Sequence, residues 1–337
     1  MTKQYPYDRE AKVLRNGEQL IQITNESNAI RKYLHAATSD NTRKAYRSAI
    51  RQFESWGGRL PSDQQTLVRY LLAKAEVLNT RTLDLHLTAI AQWHRYQGFR
   101  NPVDEPIVRK SMEGIRRTHG KPKKKAKALR LEHIGMIVDH LRHQPDSKRN
   151  ARDLAIVLTG FFSAFRRSEL VSIQIQDLSW EPEGLVVHLP RSKTDQESAG
   201  TKRALPFGDK NVCPGTAIKA WLGQSKLTEG PLFRSINRWD QVGDKALNPS
   251  AVNEILKGLG VACNFEFVPD LSSHSFRRGL STSAAREKVE FDLIKKQGGW
   301  KSDATVWGYI EEGQQLTDNA TTPLMAKLNA LIDQRPK

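Results

Sequence analysis

Residues 272–285 read SSHSFRRGLSTSAA, a histidine followed three and four positions later by two arginines, with no carboxylate in the stretch to balance them. On a helix His274 and Arg277 share a face, and Arg278 lies beside them. A solvated helix surface accommodates such a cluster. So does a site built to hold an anion, because a helix start already favours negative charge. Three other stretches carry groups of chemical use. FSAFRRSEL (162–170) sets Arg166 and Arg167 just ahead of Glu169, where a local ion pair between Arg166 and Glu169 is the simplest reading. RSKT (191–194) places Lys193 between two strand-like runs. GGWKSDATVWGYI (298–310) holds Trp300 and Tyr309 nine residues apart. Taken singly, each is ordinary: a solvated lysine, a core aromatic.

The composition narrows the partners. The 337 residues suffice for two domains, and a hydrophobic fraction of 38% supports real cores. A formal charge of +16 points to a polyanion, most often nucleic acid. Residues 1–125 carry 24 Lys and Arg against 12 Asp and Glu, whereas residues 126–337 carry 29 against 25. The first part is therefore the expected electrostatic clamp. The second must gain phosphate affinity from local placement. Cys213 and Cys263 stand fifty residues apart without Cys/His ligand spacing, so neither a disulfide framework nor a zinc site is suggested. No apolar stretch approaches a membrane span, and the start has no signal-peptide core, so a cytoplasmic location is expected.

Residues 1–24 are polar and lack strong periodicity, and a tail is expected there. Five helical segments follow, at 25–37, 39–58, 61–77, 79–98 and 103–120. Ile50 and Phe53, then Leu83, Leu87, Ile90 and Trp93, recur at helical spacing, the mark of a bundle packed on itself. GKPKKKAKALR (120–130) is the best domain boundary, a basic, proline-containing linker. Beyond it the pattern is mixed. Helices are expected at 130–144, 149–165 continuing through 166–173, 213–225, 248–263, 273–288, 290–299, 302–310 and 321–332. Two strands, 184–190 and 202–207, are expected on either side of Lys193.

In this order and spacing the four stretches resemble the tyrosine recombinases, the phage integrase family of DNA strand-exchange enzymes, and most of all its Cre-type members. The family pattern is an arginine in a G-x-R-x-S-E-L-like box, a hairpin lysine, an H-x-x-R box, a His or Trp after two glycines, and a tyrosine nine residues on. Here these correspond to Arg166, Lys193, His274 with Arg277, Trp300 and Tyr309. Ala164 stands where glycine is common, a mild departure. The resemblance implies an all-α, SAM-like core-binding domain over residues 25–119, a linker over 120–129, and a mixed α+β catalytic domain over 130–337. That domain would be mainly helical with a small antiparallel sheet, and would end in a docking helix at about 321–334. It also implies the chemistry. Tyr309 attacks a phosphodiester to give a 3′-phosphotyrosine, the arginines stabilise the charge on phosphorus, and His274 acts as acid or base. Trp300 donates its indole N–H, Lys193 protonates the leaving 5′ oxygen, and Glu169 orients Arg166. No metal and no cofactor is implied. The implied partners are double-stranded DNA with a short inverted-repeat site, held between the two domains, and a homotetramer that exchanges C-terminal helices and passes through a Holliday junction.

Two other functions share parts of this pattern: a type IB topoisomerase, which uses the same tyrosine chemistry, and a DNA-binding regulator that has lost catalysis. The presence of Tyr309, Lys193 and both arginines argues against the second. Candidate DNA contacts are Arg43, Lys44 and Arg47 on the second helical segment, Arg81 before the fourth, and Lys123, Lys124 and Lys125 in the linker.

Overall fold

The computed structural model describes residues 37–189, 200–314 and 319–333. The chain divides into two compact units, Met1–Lys123 and Lys124–Lys337. Among the described residues there are thirteen α-helices, one three-stranded and one two-stranded antiparallel sheet. None of these helices is long and apolar enough to cross a membrane.

The first unit contains α1 (Asp40–Trp56), α2 (Gln64–Lys74), α3 (Thr80–Gln97) and α4 (Pro106–His119). Their starts follow from local chemistry. The side chains of Ser39, Asp63 and Asn79 accept backbone N–H groups that have no partner inside the helix. The second of these caps places the start of α2 at Gln64, later than the expected 61. Phe53, Leu67, Tyr70, Leu71, Leu83, Ile90 and Met112 fill the core, and Trp93 packs at its edge. Two histidines are buried with partners: His86 Nδ1 lies 2.6 Å from the Tyr70 hydroxyl, and His94 Nε2 accepts from the Ser62 N–H at 2.9 Å. Burial holds the His86 pKa below its usual value and pushes Tyr70 up to about 12, so both stay neutral. The expected helix at 25–37 falls almost wholly outside the described residues.

The second unit is built around α6 (Lys148–Ser163), whose AIVLTGFF run is apolar on every side and therefore central. Around it stand α5 (Leu131–His143), α8 (Pro214–Ser225), α9 (Pro249–Ala262) and α10 (His274–Arg286). Phe161, Phe165, Trp221, Phe233 and Phe276 are completely buried between them. The sheet runs β1 (Leu178–Glu181), β2 (Gly184–Leu189), β3 (Thr201–Pro206), in that spatial order. Leu185 pairs with Leu205, and Val187 with Arg203. A second hairpin pairs β4 (Arg234–Ile236) with β5 (Val242–Ala246). The chain ends in α11 (Phe291–Gly298), α12 (Asp303–Gln314) and α13 (Thr321–Asp333).

The structure corrects the sequence reading in two further places. The helix expected to run from 149 through 173 breaks: α6 stops at Ser163, Ala164 turns left-handed at φ 49°, and α7 (Arg167–Ser172) starts afresh. Three strands were not anticipated, β1, β4 and β5. They are three to five residues long, too short to display an alternating pattern.

Candidate active site

Arg166 is the N-cap residue of α7, presented by the turn at Ala164. The turn explains why glycine suits position 164, since a left-handed φ strains any residue with a Cβ. Glu169, one turn into α7, takes both ends of Arg166. One carboxylate oxygen accepts the Arg166 backbone N–H at 2.8 Å, the other accepts from Nη1 at 2.6 Å. Glu169 thus caps its own helix and aims the guanidinium that precedes it. The simple local ion pair is present, and it is also what orients Arg166.

α10 supplies the next groups. His274 opens the helix and is exposed, while Arg277 and Arg278 are only 4% and 7% exposed. Arg277 Nη1 donates to the Ala164 carbonyl, so the left-handed turn serves both arginines. Its guanidinium lies 4.8 Å from the centre of the Trp300 ring, and that of Arg278 lies 5.5 Å from the centre of the Tyr309 ring. A guanidinium held over a ring is attracted by its face and keeps several N–H donors for other acceptors. Burial, reinforced by the charge of Arg166, pulls the Arg277 pKa down to about 10; Glu169 and Tyr309 oppose the shift and Arg203 adds to it. Arg277 therefore remains a cation at neutral pH.

Trp300 follows the tight turn that ends α11. Gly299 closes it at φ 60°, and a Cβ on Gly298 would meet the Trp300 ring at 1.7 Å. Gln297 ties the turn down by donating to the carbonyls of Phe162 and Ala204, at 2.7 and 3.2 Å. Trp300 and Tyr309 are 5.9 Å apart, centre to centre, on the small core shared by α10, α11 and α12.

The fold thus gathers Arg166, Glu169, Arg277, Trp300 and Tyr309 from four helical segments. His274 stands on the first turn of the helix that carries Arg277. Lys193 lies outside the described residues. Two further arginines lie against the same groups: Arg278 over the Tyr309 ring and Arg203 on the Gly299 backbone. The signal for Arg203 was in the strand pattern. Thr201, Arg203 and Leu205 share one face of β3, and Leu205 is buried, so Arg203 is an arginine on an inward face.

Of the candidate DNA contacts, Lys44 and Arg47 are exposed on α1. Arg43 pairs with Asp40 on its own helix. Arg81 is exposed and reaches the Lys121 carbonyl at 3.3 Å. Lys123 and Lys125 are exposed, and Lys124 pairs with Asp270 at 2.5 Å. Surface pairs of this kind contribute little to stability. Among the described residues no group of three or more His, Cys, Asp or Glu side chains is placed to hold a metal ion.

Residues 127–315 match the phage integrase family. An integrase/recombinase XerD homolog of Selenomonas ruminantium is 33% identical over 304 residues, covering 87% of this chain and 88% of that protein. The Cre recombinase of Escherichia phage P1 is 26% identical over 296 residues, covering 81% and 84%. Among solved structures, the XerH site-specific recombinase in a post-cleavage complex with its palindromic difH substrate superposes with a TM-score of 0.61 at 15% identity, covering 92% of this chain and 89% of that one.

Proposed function

The chain belongs to the phage integrase family, and from that premise we propose that it cuts and rejoins two short inverted-repeat DNA sites, with Tyr309 as the nucleophile. Membership makes it a tyrosine recombinase, an enzyme that breaks and reseals DNA strands by transesterification. The assignment of roles rests on one observation: Tyr309 sits against Trp300 and under Arg278, while Arg277 stacks on the same tryptophan and feels the charge of Arg166.

The chemistry follows from that cluster. The Tyr309 oxygen attacks phosphorus, the bond from phosphorus to the 5′ oxygen breaks, and a 3′-phosphotyrosine remains. Negative charge grows on the non-bridging oxygens as this happens. Arg166 and Arg277 neutralise it, and Trp300 adds an N–H donor. The family pattern assigns His274 to proton transfer at the tyrosine, and Lys193 to protonation of the departing 5′ oxygen. The reverse reaction, with a 5′ hydroxyl from the other duplex, conserves the ester energy and needs no nucleotide.

The wider reading is a tetramer on two sites, exchanging strands through a Holliday junction. The support for it is α13. Leu324, Met325, Leu328, Leu331 and Ile332 are 55–66% exposed, an apolar helix face suited to a neighbouring protomer.

A covalent-trapping assay tests the proposal. The protein is incubated with nicked fragments from its genetic neighbourhood, denatured in detergent, and the attached DNA is sequenced. A 3′-linked adduct is expected from the native protein. Tyr309→Phe is expected to form none while still retarding the same DNA in a gel. Adduct formation by Tyr309→Phe would remove Tyr309 as nucleophile.

A further inference from the structure

We propose that Arg203 is a further phosphate-binding residue of this site: a guanidinium held on β3 against Gly299 that meets the scissile phosphate together with Arg166 and Arg277. The inference rests on the reading of Tyr309 and its neighbours as a phosphodiester site, and it adds a group that no motif assigns.

Three observations carry it. The first is the seat. A Cβ on Gly299 would lie 1.6 Å from Arg203 Nη2 and 2.7 Å from Cζ, so the guanidinium rests directly on the glycine backbone, one residue before Trp300. Gln297 binds the same turn to β3 through the Ala204 carbonyl. The position of Arg203 is therefore set by the glycine turn.

The second is the state of its donors. Nη1 donates to the Lys202 carbonyl at 2.9 Å. Nε is sealed from solvent, and among the described residues nothing accepts from it. An unmatched buried N–H is costly, and a folded chain rarely leaves one on a cation without use.

The third is the company. Burial lowers the Arg203 pKa, Glu169 opposes that, and Arg166 adds to it, while Arg203 in turn depresses Arg277. Glu169 is the one described acid acting on Arg203, and both its oxygens are already taken by Arg166. Arg166, Arg203 and Arg277 thus repel one another around a single carboxylate. A purely structural arginine gains nothing from that placement. A dianionic transition state at phosphorus relieves it, and its oxygens offer acceptors to the guanidinium.

The test has two parts. Inorganic phosphate is first titrated calorimetrically into the full-length protein and into Arg203→Gln, Arg203→Met and Arg203→Lys, with Arg166→Gln as reference. The two neutral variants guard against a folding failure in either one, and circular dichroism reports which are folded. Loss of about tenfold in phosphate affinity is expected for each neutral variant, with partial recovery in Arg203→Lys. Unchanged affinity in the folded neutral variants overturns the proposal, whatever the DNA reaction proves to be.

The second part uses the duplex recovered by trapping, with a native or a methylphosphonate linkage at the scissile position. The methylphosphonate removes the charge on one oxygen. If Arg203 neutralises that charge, Arg203→Gln falls at least tenfold behind the native protein on phosphate, and much less on methylphosphonate. An equal deficit on both substrates means that Arg203 only supports the fold. Failure of the native protein to form any adduct would count against the proposed function, and the phosphate titration would still decide Arg203.

Discussion

Arg277 shows how a buried cation weighs on the protein that carries it. Its pKa is held near 10, below the ordinary guanidinium value, first by burial and then by Arg166. The folded state therefore disfavours its charge. That cost is fully present below about pH 10 and fades only as the pH rises toward the ordinary arginine range. The depression corresponds to roughly 3 kcal/mol. Against it stand the hydrogen bond to Ala164 and the stack on Trp300, each worth about 1 kcal/mol. Arg277→Met is thus expected to melt no lower than the native protein, and to form no covalent adduct. A melting temperature several degrees lower in scanning calorimetry would show that Arg277 holds the fold together. Much of this site was legible in the chain, because the identities and spacings of Arg166, Arg277, Trp300 and Tyr309 resemble a known order. Arg203 was not, since a lone arginine in a short strand declares itself only when the sheet shows which face is inward.

At the scale of elements, α10 depends on one close crossing. A Cβ on Gly279 would lie 1.8 Å from the Leu129 carbonyl oxygen, so the end of the basic linker crosses the helix with backbone nearly on backbone. Leu129 N–H donates to the Ser275 carbonyl at 3.0 Å, and Lys127 N–H to the Asp270 carbonyl at 3.0 Å, which fixes the linker along the helix that carries the arginines. The glycine after HSFRR is thereby explained. Gly279→Ala must push the linker or α10 aside, at a cost of about 1–3 kcal/mol. A lower urea midpoint and weaker adduct formation are expected together, and an unchanged midpoint would show that the crossing is looser than its geometry. The two compact units divide inside the 120–130 stretch, between Lys123 and Lys124. Residues 124–130 already belong to the second unit.

At the scale of the molecule, α13 stands apart from the cores. The five apolar residues on it are more than half exposed, so they contribute little to the stability of the protein alone. Burial in a second protomer would be worth about 1.5 kcal/mol or more for each side chain. Truncation before Thr321 is thus expected to leave the melting temperature within about 1 °C, since surface changes usually cost under about 0.5 kcal/mol. The truncated protein should retain binding to one site and lose the complex that joins two, read by native gel or light scattering. Retention of the two-site complex would show that α13 is not the joining element.

The sequence alone determined the helical first unit, the family and most of the candidate site residues, since side-chain type, capping chemistry and helical period are local properties. Leu83, Leu87 and Ile90 are buried as their spacing requires. Only the tertiary structure decided the break at Ala164, the short strands β1, β4 and β5, the crossing at Gly279 and the placement of Arg203. The break owes its form to a backbone turn whose carbonyl is needed by Arg277, 113 positions away. The glycines at 279 and 299 answer to Leu129 and Arg203 from other parts of the chain. Such constraints arise from contacts between distant segments, and they leave no periodic trace in the segment that bears them.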